Sequence, residues 1–196
     1  MYFLIIFGPP AVGKMSVGKE IQQATGIRLF HNHMAIEPVL NFFPFGSPPF
    51  SRLVNNFRTN LLQEVADSDL PGVSFTFVWD LEDEHDSDFL LKICEPFIEK
   101  NAEIVCVELT ASVEQRLIRN KTPARLLEKP SKRDTVRSEA NLLHLDKNHR
   151  MNSDGGIPLG FRHLLVDNTN LSAKEAADYI VETLNLPRVS AVKGEG

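Results

Sequence analysis

The stretch Tyr2-Phe3-Leu4-Ile5-Ile6-Phe7-Gly8-Pro9-Pro10-Ala11-Val12-Gly13-Lys14-Met15-Ser16 decides the fold. Its first six residues are an unbroken apolar run, the pattern of a strand covered on both faces of a parallel sheet. Gly8 and Gly13 let the backbone turn with its amides pointing inward, and helix-forming residues follow from Lys14. Those amides and the positive end of the helix make a cradle for an anion, with Lys14 placed to reach the terminal phosphates of a nucleotide. Pro9, Ala11, Val12, Met15 and Ser16 complete the expected cradle. The alternative is an ordinary strand-to-helix turn that happens to carry a lysine. A second frame, Gly13-x-x-x-x-Gly18-Lys19, has the same glycine spacing but begins inside the predicted helix, with no strand before it.

One position departs from the pattern. The residue after the lysine is Met15, where a serine or threonine hydroxyl usually ligates magnesium. A thioether does not bind that hard cation, and Ser16 is turned about 100° further round the helix. Any magnesium must then be held by the phosphates, by water and by some other residue.

Composition narrows the class. The chain has 196 residues, 42% of them hydrophobic, which suits one α/β domain that buries roughly 70% of its unfolded surface. A net charge of −5 argues against a general nucleic-acid or membrane-surface binder. Cys94 and Cys106 lie in apolar segments without metal-ligand spacing, so two reduced core thiols in a cytoplasmic protein are expected. The first apolar run is too short for a membrane span and lacks the basic flank of a signal peptide.

Apolar runs recur at Ile27–Phe30, Val73–Trp79, Glu103–Leu109 and Phe161–Val166. Helical patterns between them cover Lys14–Ala24, Ile36–Phe43, Ser51–Ala66, Asp86–Lys100, Val113–Asn120, Asp134–Arg150 and Ala173–Leu184. This alternation predicts a three-layer α/β/α domain over residues 1–186 with a five-stranded parallel sheet. Ser112 with Gln115, and Ser172 with Glu175, have the spacing of helix-capping pairs. Two segments read as irregular insertions: 41–57, rich in phenylalanine and proline, and 116–137, rich in arginine and lysine. Such segments in compact domains are often binding loops or lids. The polar tail 187–196 is expected to be disordered.

By these features the chain resembles the P-loop small-molecule and nucleoside monophosphate kinases, most of all the shikimate kinase group. His31-Asn32-His33-Met34-Ala35-Ile36-Glu37 is similar to that group's Asp-x-Asp-x-x-Ile-Glu motif, with histidines in place of both aspartates. Phe57-Arg58 is similar to its Phe-Arg pair, whose arginine binds the acceptor carboxylate, and Arg125-Leu126-Leu127 resembles its lid motif Arg-x-Leu-Leu. Its glycine triplet after the third strand is replaced by Trp79-Asp80.

The resemblance implies ATP-dependent phosphoryl transfer, with magnesium, to a small hydroxylated or anionic acceptor, in a monomer or homodimer that needs neither nucleic acid nor membrane. It implies that 41–57 lies on the acceptor side and that 116–137 is a mobile lid. Arg116, Arg119 and Arg125, with Lys129, would then close over the phosphates and adenine, and Asn168 and Thr169 would pass beside the adenine. Arg58, His31 and His33 would meet the acceptor, with His33 as candidate general base. Asp80, after an apolar run, is the candidate magnesium ligand, although the acids around it would equally suit a helix start. The alternative from another class is a nucleotide-binding regulatory module or an ATPase with a degenerate magnesium site.

Overall fold

A computed structural model describes residues 1–189 of the protein. Five strands, β1 (Tyr2–Phe7), β2 (Arg28–His31), β3 (Gly72–Thr76), β4 (Glu103–Thr110) and β5 (Arg162–Asp167), form one sheet in the order β2-β3-β1-β4-β5. Every pairing is parallel. Eight α-helices connect and cover them: α1 (Lys14–Thr25), α2 (His33–Leu40), α3 (Pro48–Ala66), α4 (Glu84–Glu99), α5 (Val113–Asn120), α6 (Pro123–Glu128), α7 (Thr135–Asn148) and α8 (Ala173–Leu184).

Strand periodicity splits the core in two. Phe3, Ile5 and Phe7 of β1 point to the side covered by α3 and α4, whereas Leu4 and Ile6 point to the side covered by α1 and α8. Both sets are fully buried, which is why the run carries no polar residue. β1 sits centrally, and the chain leaves β1 toward β3 and β2 but crosses back over it from β3 to β4. Ligands in such sheets bind at the carboxyl ends of the strands where the direction reverses, and the Gly8–Gly13 turn lies there.

The capping pairs form as read: Ser112 accepts from the Gln115 amide, and Ser172 and Glu175 make a reciprocal box. Several boundaries differ from the sequence reading. α3 begins at Pro48 rather than Ser51, because two prolines preset the first-turn backbone, so the 41–57 segment is irregular only in its first half. The 116–137 segment is largely helical, with α6 starting at Pro123 and a 3-10 turn at Pro130–Lys132. Of the tail expected to be disordered, Val189 donates its amide to the Ala24 carbonyl, while 190–196 lie outside the described residues.

Candidate active site

The turn after β1 uses its glycines for two reasons. Gly8 has φ +132° and a side chain there would lie 2.2 Å from the Leu109 carbonyl oxygen, so only glycine fits between β1 and β4. Gly13, at φ +115°, starts α1 with no side-chain cap, which leaves the first helical amides facing the turn. Lys14 curls over it, its Nζ donating to the carbonyls of Gly8 at 2.5 Å and Pro9 at 2.8 Å. Burial, then the charges of Lys129, Arg125 and Arg116, hold its ammonium well below the usual lysine range. Met15 is buried and Ser16 exposed, so a thioether packs inward where a hydroxyl usually meets the metal.

Residues from two other elements hold this turn. The Val12 carbonyl accepts both Arg119 Nη1 from α5 and Asn168 Nδ2 from the loop after β5, each at 2.9 Å. Arg119 Nη2 also bonds the Asn168 carbonyl at 2.7 Å, and Thr169 accepts the Ser112 amide at 3.1 Å. Sequence reading assigned Arg119, Asn168 and Thr169 to the nucleotide; the structure brings Arg119 and Asn168 onto the turn itself, while Thr169 ties the loop after β5 to the start of α5.

Above the turn, the segment from α5 to α7 is docked on α1 and α2. Lys19 pairs with Glu128 at 2.5 Å, and Glu37 accepts the Ser131 hydroxyl at 2.6 Å and its amide at 3.1 Å. Arg125 is set by Nε donating to Asn120 Oδ1 at 3.2 Å, an oxygen that also accepts Ser138 Oγ. Arg116 is 3% exposed and pairs with Asp146, yet its Nε and Nη1 have no partner among the described residues. Burial, then Arg125 and Lys132, bring the Lys129 ammonium down to about 7.

The acceptor side lies at the ends of β2 and β3. His31 ends β2 and His33 opens α2, so the two imidazoles stand on different elements. The strand stops because the Asn32 amide turns to Thr76 Oγ1, at 3.0 Å. Arg58 is 8% exposed, donates to Asn55 and Asn32, and sits over the rings of Phe77 and Phe89 at 6.0 and 5.5 Å. Its Nε has no partner among the described residues, and burial, opposed by Asp86, lowers its pKa only to about 10, so it stays charged. His33 Nδ1 lies 2.7 Å from Glu37. Burial and the Lys129, Lys132 and Arg125 charges outweigh that one shared carboxylate and hold His33 at about 2, so the contact is a neutral imidazole donating. Burial and Lys129 likewise hold His31 at about 4. Neutral imidazoles of this kind orient a hydroxyl but store its proton poorly.

No protein-family model matches the chain, and no curated protein matches it by sequence. Its structure is similar to a sugar kinase from Janibacter sp. HTCC2649, with TM-score 0.59 and 11% identity over 95% of each chain. It is also similar to a gluconokinase from Sinorhizobium meliloti 1021, at 0.54 and 14% over 94% of this chain and 95% of that one. A shikimate kinase from Acinetobacter baumannii, in complex with shikimate, matches at 0.51 and 15% over 94% and 93%. The chain has a P-loop kinase fold.

Within this P-loop kinase fold, Asp80 stands elsewhere than expected. β3 ends at Thr76, so Asp80 does not close the strand. Its carboxylate accepts His149 Nδ1 at 2.7 Å and the Arg150 and Glu82 amides at 3.2 Å, tying the loop after β3 to the end of α7. Partial burial raises its pKa, but those donors outweigh it and the carboxyl is held below its usual range. Among the described residues no group of three or more His, Cys, Asp or Glu could hold a metal. With Met15 inward and Asp80 engaged by His149 and two backbone amides, neither position expected to hold magnesium offers it a free side-chain ligand.

The sequence reading missed Glu108. This fully buried carboxylate of β4 accepts Ser153 Oγ at 2.6 Å, the Ser153 amide at 2.7 Å, His163 Nε2 at 2.8 Å and Asn152 Nδ2 at 2.9 Å. Asn152 also donates to the Leu109 carbonyl that abuts Gly8, so Glu108 anchors the loop lining a cavity of about 220 Å³ beside Pro9. A lone acid inside an apolar strand was the available signal.

Proposed function

We propose that the protein is an ATP-dependent small-molecule kinase that transfers a terminal phosphoryl group to a hydroxylated or anionic acceptor. The observation that carries this reading is the Lys14 turn with the Arg125 and Lys129 charges acting on its lysine, and Arg58, His31 and His33 grouped at the end of β2. Phosphoryl transfer asks mainly for alignment and positive charge, which is what these groups supply. The turn amides and Lys14 grip the phosphate tail, and Arg119 and Asn168 keep the turn rigid under it. Arg125 meets the charge that develops on the moving group. Arg58 offers its unpartnered Nε to an anionic part of the acceptor, and His33, fixed by Glu37, orients the hydroxyl that attacks. Asp80 braces the acceptor-side loops through His149.

Met15 favours a second reading, a nucleotide-binding regulatory module without efficient transfer. The deciding experiment measures acceptor-dependent ADP release from ATP against a panel of sugars, hydroxy acids, nucleosides, aminoglycosides and nucleotides. At least one acceptor is expected to raise release tenfold or more in wild type and not in Lys14→Ala. ATP binding with no acceptor effect across the panel selects the regulatory reading. Undiminished release in Lys14→Ala rejects the role of the turn.

A further inference from the structure

We infer that Arg125, Lys129 and Lys132, rather than a metal ion held by protein side chains, neutralise the phosphate tail gripped by the Gly8–Gly13 turn. The inference rests on the reading of that turn as a nucleotide site. The three cations lie along one short ribbon: the Lys129 amide donates to the Arg125 carbonyl at 3.0 Å and the Lys132 amide to the Lys129 carbonyl at 2.9 Å. Ser131, between the lysines, is pinned to Glu37, so the ribbon is held against α2. Among the described residues none of the three has a carboxylate within 4.0 Å, whereas neighbouring Lys19, Arg116 and Lys121 are each paired with an acid.

Crowding like charges whose nearest carboxylates, Glu37 and Glu128, stay beyond pairing distance is costly in a partly buried site, and an arriving polyanion reduces that cost. Lys129 bears the cost most plainly: Arg125 and Lys132 both act on it, and it acts in turn on Lys14. The usual metal-holding positions point the other way. Met15 packs inward, and the Asp80 oxygens already accept His149 and the Arg150 amide. Positive charge at the phosphate tail therefore comes from the lid and not from an ion that the side chains hold.

Calorimetric titration of the full chain with ATP, once with excess magnesium and once with EDTA, tests this. Wild-type affinity is expected to change less than fivefold on chelation. Lys129→Met and Lys132→Met are expected to bind ATP at least tenfold more weakly than wild type in EDTA, and Lys129→Arg to stay within fivefold of it. Circular dichroism confirms that the variants are folded. A fivefold or larger loss for wild type on chelation overturns the inference, as does Lys129→Met binding like wild type in EDTA. No ATP uptake by wild type in either buffer rejects the nucleotide site itself, and the inference with it.

Discussion

His31 illustrates how one residue carries the electrostatics of the site into stability. Its Nδ1 is buried without a partner among the described residues, and burial with the Lys129 ammonium holds it at about 4, below its ordinary 6.5. The unfolded chain therefore binds a proton that the folded chain refuses, so this contribution is present above pH 6.5 and lost as pH falls toward 4. Between pH 7 and pH 5 the loss amounts to about 2 kcal/mol. Urea unfolding at those two pH values is expected to show His31→Gln losing about 2 kcal/mol less than wild type; equal losses would refute the assignment. The same scale separates what sequence can convey from what it cannot. Gly8 was legible because a Cβ there has no room beside Leu109 and the residue type announces the constraint. The partners of Asp80 and Glu108 come from His149, Asn152, Ser153 and His163, far along the chain, and no local pattern encodes such meetings.

Among the elements, β1, α5 and α8 were read to the residue, since a run buried on both faces and two capping serines mark their ends chemically. The start of α2 was not: His33 and Met34 carry no helix-start signature, and a hydroxyl on β3 ends β2. The lid segment was read as irregular because its helices are short and its apolar residues sparse; tertiary docking through Glu37 and Glu128 orders it. That docking has a measurable consequence. Ser131→Ala removes the hydroxyl bond to Glu37 and leaves the amide bond, a loss of about 1 kcal/mol. Hydrogen exchange of the Lys129, Ser131 and Lys132 amides is expected to quicken about fivefold, with the sheet unchanged. Unaltered exchange would show that Glu37 does not hold the lid.

Over the whole molecule, alternation of strands and helices foretold a parallel sheet, but the order β2-β3-β1-β4-β5 follows from which crossovers pack, which one sequence does not state. Charge is likewise organised above the level of segments. The chain carries −5 in total, yet Lys129 and Arg125 of the lid lie close enough to act on Lys14, so an anion is drawn to one place on an otherwise acidic surface. A ligand that binds only where α1, the lid and the loop after β5 come together must stabilise the entire fold. At ATP a hundredfold above its Kd the gain is about 2.7 kcal/mol, and at about 2 to 4 °C per kcal/mol for a domain of this size the melting temperature should rise by about 5 to 10 °C. Lys14→Ala should show less than half that rise at the same ATP concentration, and 0.5 M salt should shrink the wild-type rise because most of the attraction is between charges. A wild-type shift matched by the variant would place the nucleotide elsewhere on the surface and detach the lid cations from it.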